Sequence, residues 1–197
     1  MLVDMDEQID LGQAAESLLD VAAGIGEDAL DSPTPCAGRS VSQLLWHLLG
    51  LTTAFRAAAE KDLGPATDTD PDTAGWAEVE PEWHARLTGQ THALVAAWRE
   101  PDAVAGMTRV GGQDLPGAVA GMVALDELVL HGWDLASATG QEYRLDEATA
   151  AAVLAFVEGF DPGGTPGLFG PAVTAPEEAN TLERLVARSG RDPRWRP

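Results

Sequence analysis

Apolar residues recur along this chain at helical spacing, and the strict alternation that marks strands is nearly absent. The first amphipathic segment spans about Asp6 to Ile25. Met5, Ile9, Leu18, Leu19, Ala22 and Ile25 form its stripe, and Gly26 offers a C-terminal stop. DSPTPCAGR (31–39), with two prolines and a glycine, reads as a loop. Ser40 then opens a capping box with Gln43, so a second helix starts there and runs to about Lys61. The polar, acidic stretch 64–75 predicts another loop. A third helix begins near Pro81, a residue suited to a first turn, and ends near Arg99. Residues 101–116 show no clear period, although Gly111–Gly112 fits the turn of a short hairpin. A fourth helix covers about Gly117 to Thr139 and stops at Gly140, and a fifth covers Asp146 to Phe160. The loop DPGGTPGLFGP (161–171) separates these from a short helix at about Pro176 to Arg188. There is no internal repeat and no long linker. The expected fold is all-α, a four-helix bundle with additional C-terminal helices, in one domain over residues 1–197.

The fourth segment carries more than a fold signal. At ~100° per residue, Met122, Leu125, Leu128, Val129, Leu130, Trp133 and Leu135 spread around nearly its whole circumference, the pattern of a buried helix. Yet Glu127, His131 and Asp134 fall within an arc of roughly 60° on the face of Ala120, Ala124 and Ala138. A buried carboxylate without a partner costs several kcal/mol, so this cluster needs one. A divalent cation would neutralise the carboxylate and satisfy the imidazole together, and the alanines would leave space above it. Glu127 and His131, at i and i+4, stand one turn apart and can reach one ion.

Spacing alone is weak evidence, because Glu80 and His84 repeat it. Those two lie at a helix start among polar neighbours and read as solvated surface. A third ligand must come from another helix. In the second helix Val41, Leu44, Leu45, Leu48, Leu51 and Phe55 define the core stripe, and His47 lies at its edge. On periodicity alone, a hydrogen-bonded structural histidine is the leading reading of His47 and a ligand the alternative. His92 is a rival without an acidic or histidine partner one turn away.

Composition narrows the function classes. The formal net charge is −20, from 12 basic and 32 acidic residues, which repels phosphate backbones and anionic lipid; no nucleic-acid or membrane partner is expected. No apolar run approaches the ~18–20 residues of a membrane span, and the acidic opening MLVDMDEQID lacks the features of a signal peptide, so a cytoplasmic location is expected. Cys36 is the single cysteine, which excludes a disulfide framework or cysteine-only metal site. It reads as a small buried loop residue, since a nucleophile needs a nearby base. Trp46, Trp98 and Trp133 read first as core aromatics, with a pocket wall as the alternative, and PGLFGPAV (166–173) offers a lid.

Two stretches, SPTPCAGRSVSQLLWHLLG (32–50) and DELVLHGWDLASATGQ (126–141), resemble the N-terminal metal-binding domain of mycothiol-dependent maleylpyruvate isomerase. The similarity extends to its stand-alone actinobacterial relatives, within the DinB-like and YfiT-like bundle superfamily, and spans nearly the whole chain. It implies a four-helix bundle with a crossover connection. It also implies that His47, Glu127 and His131 bind a divalent metal, zinc first with nickel or iron as alternatives. Finally, it implies a small-molecule substrate and a low-molecular-weight thiol, mycothiol, as cosubstrate. Two departures bear on the reaction. The isomerase has a further C-terminal domain for which this chain is expected to have no room, and Arg39 replaces a tryptophan common after the loop glycine.

Three protein ligands leave a coordination position open, the catalytic pattern. The first hypothesis is a thiol S-transferase or thiol-assisted isomerase acting on a small electrophile, with Asp134 a candidate to orient a ligand imidazole and, on an equal footing, a polar residue of the helix end. The alternatives are a zinc-dependent small-molecule hydrolase and a non-catalytic, metal-stabilised binding protein. The sequence leaves open a monomer or a homodimer, and any part played by Cys36 or Arg39.

Overall fold

The computed structural model of the protein describes residues 9–69 and 77–197. Helix α1 (Gly12–Ala23) starts later than its apolar stripe predicts. The Asp10 carboxylate accepts the Gly12 N–H at 2.8 Å in a tight turn that holds Ile9 and Asp10 outside the helix; Met5 and Asp6 lie outside the described residues. It also ends at Gly24 rather than Gly26, and Ile25 reaches the core from beyond the helix end.

Helix α2 (Val41–Glu60) begins with the capping box that the sequence predicts. Gln43 N–H donates to Ser40 Oγ and Ser40 N–H to Gln43 Oε1, both at 3.2 Å. The loop after it folds into one helical turn, α3 (Pro65–Asp68), where none was expected, and residues 70–75 of that loop lie outside the described residues. Helix α4 (Trp83–Trp98) is followed by a second single turn, α5 (Pro101–Val104). The expected hairpin then forms from β1 (Met107–Val110) and β2 (Gln113–Pro116). Gly111 and Gly112 both take positive φ, 58° and 75°, which matches the right-handed twist of two joined strands.

Helix α6 (Gly117–Ala138) is buried over most of its circumference, as its all-round apolar pattern requires. Helix α7 (Glu147–Glu158) is capped by Asp146, which accepts the Thr149 N–H at 2.8 Å. Helix α8 (Thr181–Arg188) starts five residues later than predicted, because Asn180 and Glu183 form a capping box there. Thr165 bridges Phe169, and Phe169 is buried against Phe160 with ring centroids 5.1 Å apart.

Around the bundle, α1 packs on α6 and α4, and α2 packs on α4 and α6. The consecutive pairs α1/α2 and α4/α6 are therefore diagonal, and the chain crosses the end of the bundle between them. Leu18, Leu44, Leu48, Leu87, Leu94, Val129 and Leu135 fill the shared core, and α7 and α8 add a small layer beyond α6. The fold is all-α, as expected, with a two-stranded hairpin as the only sheet among the described residues. No described helix is long and apolar enough to cross a membrane.

Candidate metal centre

The contact between α2 and α6 brings together the three residues singled out as ligands. One donor atom each from His47, Glu127 and His131 lie within 4.8 Å of one another. The two imidazoles meet edge to face, with centroids 5.3 Å apart. His47 stands at the edge of the α2 stripe and turns inward, while Leu44 and Leu48 beside it are fully buried. The diagonal topology makes the site possible, because it places α6 against α2 although they are separated by the whole of α3 to β2 in sequence.

Within α6 the cluster is ordered by hydrogen bonds. His131 Nε2 lies 2.9 Å from Glu127 Oε2, and His131 Nδ1 lies 3.0 Å from Asp134 Oδ2. Asp134 has no exposed side-chain surface, and its charge is met by a residue far along the chain: Arg191 donates Nε to Oδ1 at 2.8 Å and Nη2 to Oδ2 at 2.9 Å. Burial works against each of these charges, and the partners outweigh it. His131 is pushed up to about 10 by its hydrogen bonds to Asp134 and Glu127. Glu127 lies below the usual carboxylate range through its bond to His131, and Asp134 lies below it through the charge of Arg191. His47 goes the other way, to about 4, because burial and the neighbouring His131 charge both disfavour its imidazolium.

A second donor set, Cys36, His131 and Asp134, also lies within 4.8 Å, at the Nδ1 end of the imidazole. It is poorly suited to an ion, since Arg191 already occupies both Asp134 oxygens. Burial pushes the Cys36 thiol up, the opposite of what a thiolate nucleophile needs. The charge of Arg39 acts on His47, so the residue in the usual tryptophan position stands near the cluster. Asp126 faces burial with less help: its Oδ1 finds no hydrogen-bond partner, and its carboxyl is raised to about 8.

The other candidates do not join the cluster. Glu80 turns to Arg86 at 3.1 Å and His84 Nε2 donates to the Ala22 carbonyl at 3.0 Å, so that repeat of the spacing forms no pair. His92 is exposed on α4. Trp98 and Trp133 belong to the core, whereas Trp46 lines a cavity of about 640 Å³ shared with His47. Arg191 was missed by sequence reasoning. Nothing in the pattern around it points to a carboxylate 57 positions away.

The fold and this inward-facing cluster define a helical-bundle protein of DinB-like architecture, with a two-histidine, one-carboxylate site between α2 and α6. The chain belongs to the mycothiol maleylpyruvate isomerase N-terminal domain family, whose model matches residues 11–136. That membership places it among mycothiol-related, metal-binding helical domains. Two proteins of Mycobacterium tuberculosis are each 26% identical over 192 residues, covering 95% of this chain and 98% of their own length: the uncharacterized proteins MT0763 (strain CDC 1551 / Oshkosh) and Rv0738 (strain ATCC 25618 / H37Rv). No solved structure matches the chain significantly.

Proposed function

We propose that the chain works as one metal-binding unit in which His47, Glu127 and His131 hold a divalent ion, zinc first. The protein then acts in the cytoplasm as a thiol-dependent S-transferase or isomerase on a small electrophile, with mycothiol as the thiol. The observation that carries the metal reading is the convergence of the three donor atoms between two helices of an apolar bundle. The donor set fits the ion: two imidazoles and one carboxylate suit a borderline divalent cation, and Glu127 has no guanidinium or ammonium partner among the described residues that a cation would have to displace. Thiol chemistry rests on the family.

A divalent ion with three protein ligands supplies an open position at which a thiol or water loses its proton more readily. The chain's own residues do the rest. Asp134 accepts a hydrogen bond from His131 Nδ1–H, which leaves Nε2, the nitrogen facing Glu127, to offer its lone pair to the ion. His47, held neutral by burial, presents the site's second imidazole without first losing a proton. The surrounding leucines keep bulk water from the inner side.

Elemental analysis of the purified protein tests the metal, with His47, Glu127 and His131 replaced in turn. The expected result is one ion per chain in the parent and loss of it in each variant. Turnover of an electrophile panel by the loaded protein, with and without mycothiol, tests the reaction. Activity only with thiol is expected. Turnover without thiol means a hydrolase, and no turnover with a metal-dependent melting temperature means a binding protein.

The cavity along the outer face of α2 is the proposed place for the substrate. His47 lies at one margin, Trp46, Gly50 and Val79 form walls, and Gln90 reaches in from α4. A Cβ on Gly50 would meet nothing within 4 Å, so side-chain bulk there enters the cavity and leaves the core alone. Gly50→Leu is expected to keep its ion and to gain ~0.5–1 kcal/mol from helix propensity, since glycine is the poorer helix former. It is also expected to lose turnover at least about tenfold, read from steady-state kinetics beside metal content and melting temperature.

A further inference from the structure

We propose that Arg191 is a positioning residue of the metal centre, so that the segment following α8 forms part of the site. This inference rests on the metal reading above. The residues matched by the family end at 136, and Arg191 lies far beyond them.

Local sequence explains how the arginine arrives. Helix α8 ends in a paired terminal turn: the Gly190 N–H donates to Ala187 O at 3.2 Å and the Arg191 N–H to Val186 O at 3.1 Å. Gly190 takes φ of 90°, and a Cβ there would lie 2.7 Å from the backbone of Gly170, so only glycine fits both the turn and the contact. The turn reverses the chain and directs Arg191 back toward α6. Its Nη1 donates to Ser189 Oγ at 3.2 Å, while Nε and Nη2 take the two oxygens of Asp134.

The geometry forms one line: guanidinium fork, carboxylate, His131 Nδ1, and then Nε2 facing Glu127. Asp134 alone is a short side chain that can rotate about its carboxylate bond. Two parallel hydrogen bonds from a planar donor fix that rotation and so fix which oxygen meets Nδ1. A carboxylate that orients a ligand imidazole in this way commonly governs metal affinity by about 10–100-fold. Arg191 acts through Asp134 and touches neither the ion's donors nor a substrate. Lysine at 191 would keep the positive charge but lose the planar fork, which separates positioning from charge neutralisation.

The test measures zinc affinity and zinc release to excess chelator for the parent, Arg191→Lys, Arg191→Gln, Asp134→Asn and the double variant Asp134→Asn/Arg191→Gln. It also records the Nδ1 proton resonance of His131 in the metal-free proteins. The expected result is a loss of affinity of about ten- to a hundredfold in each single variant. The double variant should be no weaker than Asp134→Asn alone, because both changes act on one link. The downfield Nδ1 resonance should weaken or exchange rapidly in Arg191→Lys, a change that overall stability does not produce. If Arg191→Gln fails to fold, Arg191→Lys decides the matter. Parental affinity and an unchanged resonance in Arg191→Lys overturn the proposal, as do multiplicative losses in the double variant. A parent protein that binds no zinc overturns the metal reading instead, while the resonance still reports whether Arg191 orders Asp134 and His131.

Discussion

His131→Ala is expected to abolish the proposed metal binding and to cost a large part of the protein's stability. The imidazole stands between Glu127 Oε2 at 2.9 Å and Asp134 Oδ2 at 3.0 Å and is itself only 7% exposed. Removing one partner from a buried charged pair typically costs ~3–5 kcal/mol, because the remaining charge keeps its desolvation penalty. Asp134 retains Arg191, so the loss falls mainly on Glu127. That side chain is 22% exposed and can recover some hydration, which places the expected loss at the lower end of that range. Glu127→Gln makes the contrast. It keeps the shape and removes the charge, and His131 can then go neutral against the introduced amide, so stability should stay near that of the parent while the ion is lost. Thermal melts of chelator-treated proteins, with elemental analysis of untreated ones, separate the two effects. Parental zinc content in His131→Ala would refute the assignment of His131.

How much of this was legible in the sequence depends on the distance over which each feature is decided. The Ser40–Gln43 capping box, the Gly111–Gly112 turn and the Asp146 cap involve neighbours, and the chain folds at each of them as its local residues dictate. The buried character of α6 was also visible, since apolar side chains at every angle leave no solvent face, and that made Glu127, His131 and Asp134 stand out. The start of α1 was misread because helical periodicity continues through Ile9, whereas a side-chain bond from Asp10 to the Gly12 backbone breaks the helix. The Asn180–Glu183 box is local and readable, yet the predicted boundary falls before it, at about Pro176.

His47 marks the limit of periodic reasoning. Its angle puts it at the edge of the α2 stripe, where a hydrogen-bonded structural histidine is the leading reading and a ligand the alternative, and only the family motif raises the ligand above it. What turns it inward is the placement of α6 beside α2, a property of topology. Arg191 lies beyond that limit. Its local turn was readable from Gly190, but the turn's direction depends on Gly170, and the destination depends on α6. Cys36 combines the two cases: the loop was evident, while its nearness to Asp134 and its suppressed thiolate follow from packing.

Metal binding is expected to release about one proton at neutral pH and to strengthen steeply as the pH rises. In the metal-free protein His131 has a pKa of about 10, so it carries its second proton at pH 7 on a nitrogen the ion needs. His47, at about 4, is already neutral, and Glu127, held below its ordinary range, is already ionised; neither contributes a proton. One competing proton changes the apparent affinity by about a factor of ten per pH unit, hence about a thousandfold between pH 5 and pH 8. Stability of the metal-free protein runs in the opposite direction. A folded pKa above the unfolded value of 6.5 gives stabilisation that is complete below 6.5 and is lost as the pH rises through 10. Raising the pH from about 6 to about 10 should therefore weaken the metal-free fold at this site while tightening the grip on zinc, and the gap between metal-free and loaded melting temperatures should widen. Calorimetric titration of zinc in buffers of different ionisation enthalpy counts the protons directly. A count near zero at pH 7 would mean that His131 is already neutral between its two carboxylates, and the affinity would then change little from pH 7 upward.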